Sequence, residues 1–390
     1  MDIEELENTL LKDMDNLPLG CQQCIKGEKL VLFITGICDE NCYYCPISEK
    51  RKGKDVIYAN ERKITSIEEC IEECILCGSR GAGITGGNPL LRLDRTCKYI
   101  KALKSRFGTS FHIHLYTTPT YIDENKLRAL KETGLDEIRI HPTKYFNEYY
   151  RESKEKREEY LKYLVDTLKL CMEYIKVVVV EIPSIPNYEK EIIQLGEAIE
   201  KAGIKFLNIN QLEYSETNYQ SLRSMGFVEK NDYSSEILGS EETAKKVVEY
   251  FRSKGSNLRV HYCPSVLKDG IQMKNRLLKR AKNVAKDYEV ITEEGLLVRG
   301  IVSFRNLRDV KDLLEILEYN EEPYEIDLDK KSIYLNPYVL EEIIEILKEN
   351  RYRFKFSAYI SERYPTVDGL EVERIPLVVE RRSLKDIRRM

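Results

Sequence analysis

The chain has no tryptophan and no long apolar run. Nothing in it approaches the roughly 18 consecutive apolar residues of a membrane-spanning helix, so no membrane span is expected. The amino terminus, MDIEELENTLLKDMDNL, is acidic and lacks the charged-then-apolar order of an export signal. That points to a cytoplasmic protein. Neither sign of charge is in excess: 62 basic residues stand against 66 acidic ones. A globally basic nucleic-acid binder is thereby excluded, although a local patch is not. No internal repeat, no low-complexity segment and no cobalamin-binding motif is evident.

Cysteine, by contrast, is plentiful, with 11 in the chain. In a cytoplasmic protein these read as metal ligands or core residues rather than disulfides. Three of them stand in the stretch Lys29–Pro46, KLVLFITGICDENCYYCP. An apolar run from Leu30 to Ile34 ends at Gly36, and Cys38, Cys42 and Cys45 follow in a C-x3-C-x2-C pattern. A structural zinc or iron-sulfur site normally takes four protein ligands. Three thiolates with no neighbouring fourth would leave one iron of a cubane cluster open to a ligand that is not protein.

This loop, with Tyr44 just before its last cysteine, is followed after the next strand by Gly86-Gly87-Asn88-Pro89. Over residues 28–265 the chain resembles the radical S-adenosylmethionine (SAM) superfamily. Within it, the chain looks most like uncharacterised archaeal-type proteins related to pyruvate formate-lyase activating enzyme. The resemblance implies that Cys38, Cys42 and Cys45 hold a [4Fe–4S] cluster whose open iron chelates SAM. Electron transfer into the sulfonium then yields a 5′-deoxyadenosyl radical, which calls for an electron donor. It also implies that Tyr44 lies near the adenine and that Gly86, Gly87, Asn88 and Pro89 meet the SAM amino group. The usual acid of that second motif is replaced here by Asn88. The implied fold is α/β, a partial (βα)6 TIM-like barrel with about six core strands.

The pattern of the chain agrees with repeated βα units around a parallel sheet. Residues 3–16 read as a short amphipathic helix, and a Cys21-x2-Cys24 pair precedes the first strand. Ser66 and Glu69 form a capping box ahead of the next helix. Strands are expected at Gly81–Thr85, Phe111–Thr117, Asp136–Ile140, Val177–Ile182, Phe206–Asn210 and Leu258–Tyr262. After Asp287 the pattern changes to an α+β domain. The domains expected are an N-terminal extension (1–27), the core (28–265), a basic helical linker (266–286) and the C-terminal α+β domain (287–390). Alternation turns some strand-end polar residues into the barrel. The candidates are His114, Tyr116, Arg139, His141, Glu181, Asn208 and Asn210, of which Tyr116, Arg139 and Glu181 are assigned with Tyr44 to cofactor binding.

A second cysteine set, Cys70-x3-Cys74-x2-Cys77, repeats the first spacing on a helix, where such residues share one face. It reads either as a half-buried face using Cys as a small hydrophobe or as part of a second site. In the second reading Cys21, Cys24, Cys74 and Cys77 would bind zinc or iron, or with Cys70 an auxiliary cluster. Cys263 is a lone thiol in His-Tyr-Cys-Pro, and Cys97 and Cys171 read as core. Lys268–Lys286 carries seven basic residues against one acid, either a solvated helix face or a phosphate-tracking surface. The function expected is therefore a radical SAM enzyme acting on an unidentified substrate, with protein or RNA both open. A metal-stabilised binding protein and an iron-sulfur electron carrier are the alternatives.

Overall fold

The computed structural model describes residues 14–146, 153–232, 234–349 and 354–379. Most of the helix expected at 3–16 lies outside them. The chain divides into two compact units, one ending at Asn275 and the other starting at Arg276.

In the first unit a nine-stranded sheet is ordered β3-β2-β1-β4-β5-β6-β7-β8-β9. Its strands are β1 (Lys29–Phe33), β2 (Ile57–Ala59), β3 (Arg62–Ile64), β4 (Gly81–Thr85), β5 (His112–Thr117), β6 (Glu137–Ile140), β7 (Val177–Ser184), β8 (Phe206–Gln211) and β9 (Arg259–Cys263). From β1 through β4 to β9 every pairing is parallel. The expectation of about six core strands is met, with one parallel strand more. The hairpin β2–β3 adds antiparallel strands at the β1 edge.

Helices α1 (Leu19–Ile25), α2 (Ile67–Leu76), α3 (Leu93–Phe107), α4 (Glu124–Thr133), α5 (Lys154–Tyr174), α6 (Glu189–Lys201), α7 (Tyr219–Ser224) and α8 (Ser240–Ser253) accompany the sheet. The capping box at Ser66 and Glu69 is present and starts α2. The pleat sorts the side chains. Leu30, Leu32, Ala82, Ile84, Ile113 and Leu115 are fully buried in one apolar core with residues of α2, α3 and α4. Their neighbours Lys29, Gly81, Gly83, His112 and His114 turn to the opposite face. That second face is concave. Lys29 opens β1 and Cys263 closes β9, six strand steps apart, which in a flat sheet is about 29 Å. Both nevertheless lie close to α1: Lys29 Nζ and Gln23 of α1 share the space beside Gly81, and Cys263 packs in one cluster with Ile25 of α1. The sheet therefore curls around α1, which closes the amino-terminal end of the concavity as a floor.

The second unit is built on an antiparallel sheet ordered β12-β13-β11-β14-β15, with β10 paired to β11. Its elements are α9 (Lys274–Val284, whose first two residues belong to the first unit), β10 (Val290–Ile291), β11 (Leu297–Ser303), α10 (Lys311–Tyr319), β12 (Tyr324–Asp327), β13 (Ser332–Leu335), α11 (Pro337–Glu349), β14 (Ser357–Arg363) and β15 (Glu371–Val378). Val302, Ile333, Leu335 and Ala358 from the sheet pack with Leu313, Leu317, Leu340 and Ile344 from α10 and α11. The segment 266–286, expected as a basic linker, contains the boundary between the units. Its first turn, Leu267–Met273, buries Leu267 and Ile271 against Met14 and Ile25 of the first unit, and the division falls inside α9. Met14 and Ile25, within the N-terminal extension expected at 1–27, pack into this same cluster.

Candidate active site

The cysteine loop leaves the carboxyl end of β1, where α/β folds place their chemistry. Its course is set by backbone pairing. Gly87 N–H donates to Thr35 O and Asn88 N–H to Ile37 O, so the Gly-Gly-Asn-Pro segment runs beside the residues leading into Cys38. A β-carbon at Gly86 would strike the Thr35 carbonyl, and one at Gly87 the Ile37 carbonyl. These glycines are needed because backbone meets backbone there. The Asn88 side chain is fully buried and its bonds are internal. Its Oδ1 accepts from Leu90 N–H (3.0 Å) and Thr117 Oγ1 (2.9 Å), and its Nδ2 donates to Thr118 Oγ1 (3.3 Å). It caps the short helical turn Pro89–Arg92, in which Pro89 is buried. An amide serves this position better than an acid because it must both accept and donate.

Other strand ends hold the loop as well. The Glu40 carboxylate accepts from Thr118 (3.4 Å), Thr120 (2.9 Å) and Thr143 (2.9 Å), and Asp39 accepts from the Tyr121 hydroxyl (2.8 Å). Thr217 donates to the carbonyls of Cys45 and Ile47, and Asn218 to that of Tyr44. Tyr44 is buried, with its hydroxyl 2.9 Å from His141 Nε2. His141 Nδ1 lies 2.7 Å from the Glu181 carbonyl, which can only accept, so Nδ1 carries the proton and Nε2 accepts from Tyr44. Burial holds this imidazole below its ordinary range, keeping it neutral.

Below the loop, the strand-end candidates converge on one network. Arg139 donates through Nη1 to Glu181 (2.9 Å) and to the Tyr116 hydroxyl (3.0 Å). It donates through Nε to Glu137 (2.6 Å) and through Nη2 to Cys21 Sγ (3.3 Å). Asn208 bonds Glu181 (3.2 Å) and Cys21 (3.2 Å), and Asn210 bonds Glu181 (2.8 Å). Glu137, fully buried, also accepts from Gly20 N–H of α1. Glu137 was not singled out from the sequence, although it lies two residues before Arg139 and so on the same strand face. Nearer the floor, the buried Lys29 amine touches His112 Nδ1 (2.7 Å), and burial holds it down to about 7.

The mixed cysteine quartet does not assemble. Cys21 belongs to the lumen, where burial pushes its thiol up to about 12 against the pull of Arg139. Cys70 and Cys74 lie in the apolar core on the other face of the sheet, and Cys77 bonds Glu73 (3.2 Å) and Asn60 (3.4 Å) there. Strands β1 and β4 separate the two pairs. Among the described residues no three His, Cys, Asp or Glu side chains are grouped to hold a single metal ion. In the basic segment Lys268 pairs with Glu213, and Arg280 is buried with its Nε on the Pro365 carbonyl, while Lys282 and Lys286 are exposed.

The sequence profile described as the radical SAM superfamily matches residues 32–199. A Methanocaldococcus jannaschii protein, named "Putative glycyl-radical enzyme activating enzyme", is 60% identical over 381 residues, covering 98% of each chain. The chain belongs to the radical SAM superfamily. A domain of unknown function matches residues 295–377. Among solved structures, methylornithine synthase is 15% identical, with 60% of this chain and 63% of that one covered and a TM-score of 0.41. Streptococcus suis SuiB bound to its precursor peptide SuiA is 13% identical, with 75% and 64% covered and a TM-score of 0.44. Membership makes this radical SAM protein an enzyme whose cofactors are a [4Fe–4S] cluster and SAM. No helix among the described residues is long and apolar enough to cross a membrane.

The residues present fit those cofactors. Cys38, Cys42 and Cys45 are free, partly exposed thiols on one loop. Burial pushes Cys42 up to about 12 and raises Cys38, and the neighbouring thiols and Glu40 add to both shifts. Three thiolates crowded beside two acids require cationic metal to be stable together, and a cubane takes each on a separate iron. In the lumen beneath, His114 Nδ1 and Asn208 Oδ1 are buried without a hydrogen-bond partner among the described residues. A polar interior of this kind is completed by water or ligand.

Proposed function

We propose that this radical SAM enzyme holds its cluster on Cys38, Cys42 and Cys45, binds SAM at the carboxyl ends of the strands, and abstracts a hydrogen atom from a glycyl residue of a partner protein. The observation that carries the cofactor assignment is the thiol loop, tied to four strand ends above a polar, concave lumen whose floor is closed by α1. The glycyl target follows from the name of the 60% identical relative. When bound, the cluster and SAM supply one-electron reductive cleavage to a 5′-deoxyadenosyl radical, the hard chemistry that a protein scaffold does not itself provide.

The chain's own residues orient and enclose. Glu40 and Thr217 fix the loop from two sides, so the thiols keep their relative positions. Gly86, Gly87 and Pro89 carry the SAM-facing backbone, while the Asn88 side chain holds that backbone in shape. The Tyr44–His141 bond ties the loop to β6, and Tyr44 stays packed beneath it. Arg139, Glu181, Tyr116, Asn208 and Asn210 present fixed charges and dipoles from below; such preorganised groups need no rearrangement when a polar ligand enters. The floor keeps water from reaching the reacting centre from the far end.

Anaerobic reconstitution tests this reading. The wild-type protein should bind about four irons and four sulfides for a single cubane, and form 5′-deoxyadenosine from SAM with dithionite. The Cys38→Ala, Cys42→Ala, Cys45→Ala triple variant should lose both. Equal iron in the two proteins, or no nucleoside from the wild type, refutes the assignment.

A further inference from the structure

A radical SAM enzyme must receive its electron from outside, and one surface beside the cysteine loop is built to meet a carrier of defined chemistry. The turn Ser48–Lys54 packs directly on the residue that leads into the cluster loop. Gly36 N–H donates to Lys54 O (2.7 Å), and Gly53 N–H donates to Gly36 O (2.9 Å). A β-carbon at Gly36 would collide with the Arg51 carbonyl, so this contact depends on glycine. The turn is internally ordered, with Arg51 and Lys52 N–H both on Ser48 O and Lys54 N–H on Arg51 O.

Its basic side chains divide by direction. Arg51 turns inward, its guanidinium 4.2 Å from the Tyr58 ring centroid and 5.3 Å from that of Phe33. Lys50, Lys52 and Lys54 are exposed. Next to them Asp55 binds Arg92 (3.0 Å) and Arg95 (2.6 Å) at the start of α3, with exposed Lys98 one turn further on. Six cations thus face Glu49, Asp55 and Asp94, on a chain whose net charge is −4. The excess is local and opposite in sign to the whole molecule. The turn that carries it packs on Gly36, two residues before Cys38.

We propose that Lys50, Lys52 and Lys54, with Arg92 and Lys98 beside them, form the docking surface for an acidic one-electron carrier protein of the ferredoxin type. The inference rests on the radical SAM reading above. Opposite surface charge steers encounter and orients the pair, raising association by about ten- to a thousandfold at low salt. The carrier loses one electron and the cluster gains one; no atom is transferred.

The test uses the reconstituted holoenzyme and an acidic two-cluster ferredoxin. Affinity is measured by biolayer interferometry at low and at physiological salt, and 5′-deoxyadenosine formation is driven in parallel by reduced ferredoxin or by dithionite. The Lys50→Glu, Lys52→Glu, Lys54→Glu variant should bind ferredoxin at least about tenfold more weakly at low salt, with most of the salt dependence gone. Ferredoxin-driven turnover should fall in step, while dithionite-driven turnover stays within about twofold of wild type, because a small reductant needs no docking. A control variant with the same charge change on exposed residues of and after α5, Lys162→Glu, Lys169→Glu, Lys176→Glu, should bind as wild type does. Unchanged ferredoxin affinity in the turn variant, or an equal loss in the control, overturns the proposal. Absence of nucleoside from wild type with dithionite would refute the enzymatic reading itself, whereas the affinity is read without turnover and decides the surface independently.

Discussion

Replacing Arg139 by methionine should expose how the lumen is held together. The Arg139 side chain is 3% exposed and Glu137 is 0% exposed, so both charges are out of water. Removing the guanidinium deletes bonds to Glu137, Glu181, Tyr116 and Cys21 at once. The two carboxylates do not suffer equally. Glu181 retains Asn208 and Asn210 as donors. Glu137 retains the Gly20 N–H at 3.3 Å and His112 Nε2 at 3.4 Å. That imidazole is held down to about 3 by burial and by the nearby cations, so it brings no charge at neutral pH. Breaking a buried ion pair by removing one partner costs about 3–5 kcal/mol, chiefly through the charge left behind. We therefore expect Arg139→Met to lose about 4 kcal/mol, most of it traceable to Glu137.

Urea denaturation of the reconstituted protein, followed by far-UV circular dichroism and tyrosine emission, measures this loss directly; the absence of tryptophan leaves tyrosine as the intrinsic probe. Adding Glu137→Gln to Arg139→Met should recover at least about half of the deficit, because the orphaned charge is gone. Adding Glu181→Gln should recover less. The deficit of the single variant should also shrink as pH falls, since an unpaired buried carboxylate gains by taking a proton. A loss under about 1 kcal/mol, or no rescue by Glu137→Gln, would mean that the network is solvated.

Lys29 should make stability pH-dependent. Its amine is held down to about 7 from 10.5, so between those values the unfolded chain binds more protons. Stability should then climb with pH across that window by a few kcal/mol at about 1.4 kcal/mol per unit, and stay level below pH 7 with respect to this group. Lys29→Met should flatten the rise; parallel curves for the two proteins would show that the amine is not buried. Glu40→Ala removes the acceptor for three threonine hydroxyls, and iron loss to a chelator should quicken severalfold with little change in denaturation midpoint. Iron retention equal to wild type would discount that clasp. Asn88→Glu restores the acid usual in the family, yet it should destabilise by about 2–4 kcal/mol and weaken SAM binding, because a buried charge would replace a capping amide. Tighter SAM binding in this variant would show that the side chain faces the ligand after all.

These outcomes bear on which parts of the site were readable before any coordinates. The cysteine loop was legible because all its information is local: three thiols, one loop, one strand ahead of it. Arg139, Glu181, Tyr116, Asn208 and Asn210 were legible as a set because strand alternation alone decides which face they share. The same rule puts Glu137, two residues from Arg139 at the strand's amino end, on that face. Glu40 carried a weaker signal, an acid placed between two cysteines, and its threonine partners lie beyond strand ends, 78 to 103 residues away. The hairpin β2–β3 was hidden by strands of three residues and a charged composition, although Asn60, with φ of 53°, is a residue type that tolerates such a turn.

The cysteine quartet failed for a different reason. C-x2-C spacing constrains two thiols to one helical turn, but it cannot say on which face of a sheet that turn will pack. Here α1 fills the concave face and α2 covers the other, so pairs close in sequence are kept apart by β1 and β4. Helix α2 spends its cysteines as small core residues, while α1 spends Cys21 as a hydrogen-bond acceptor for Arg139 and Asn208. One motif type thus has opposite uses on the two sides of a single sheet. What separates Cys38, Cys42 and Cys45 from both is that their loop leaves a strand's carboxyl end, where the three thiols stay partly exposed.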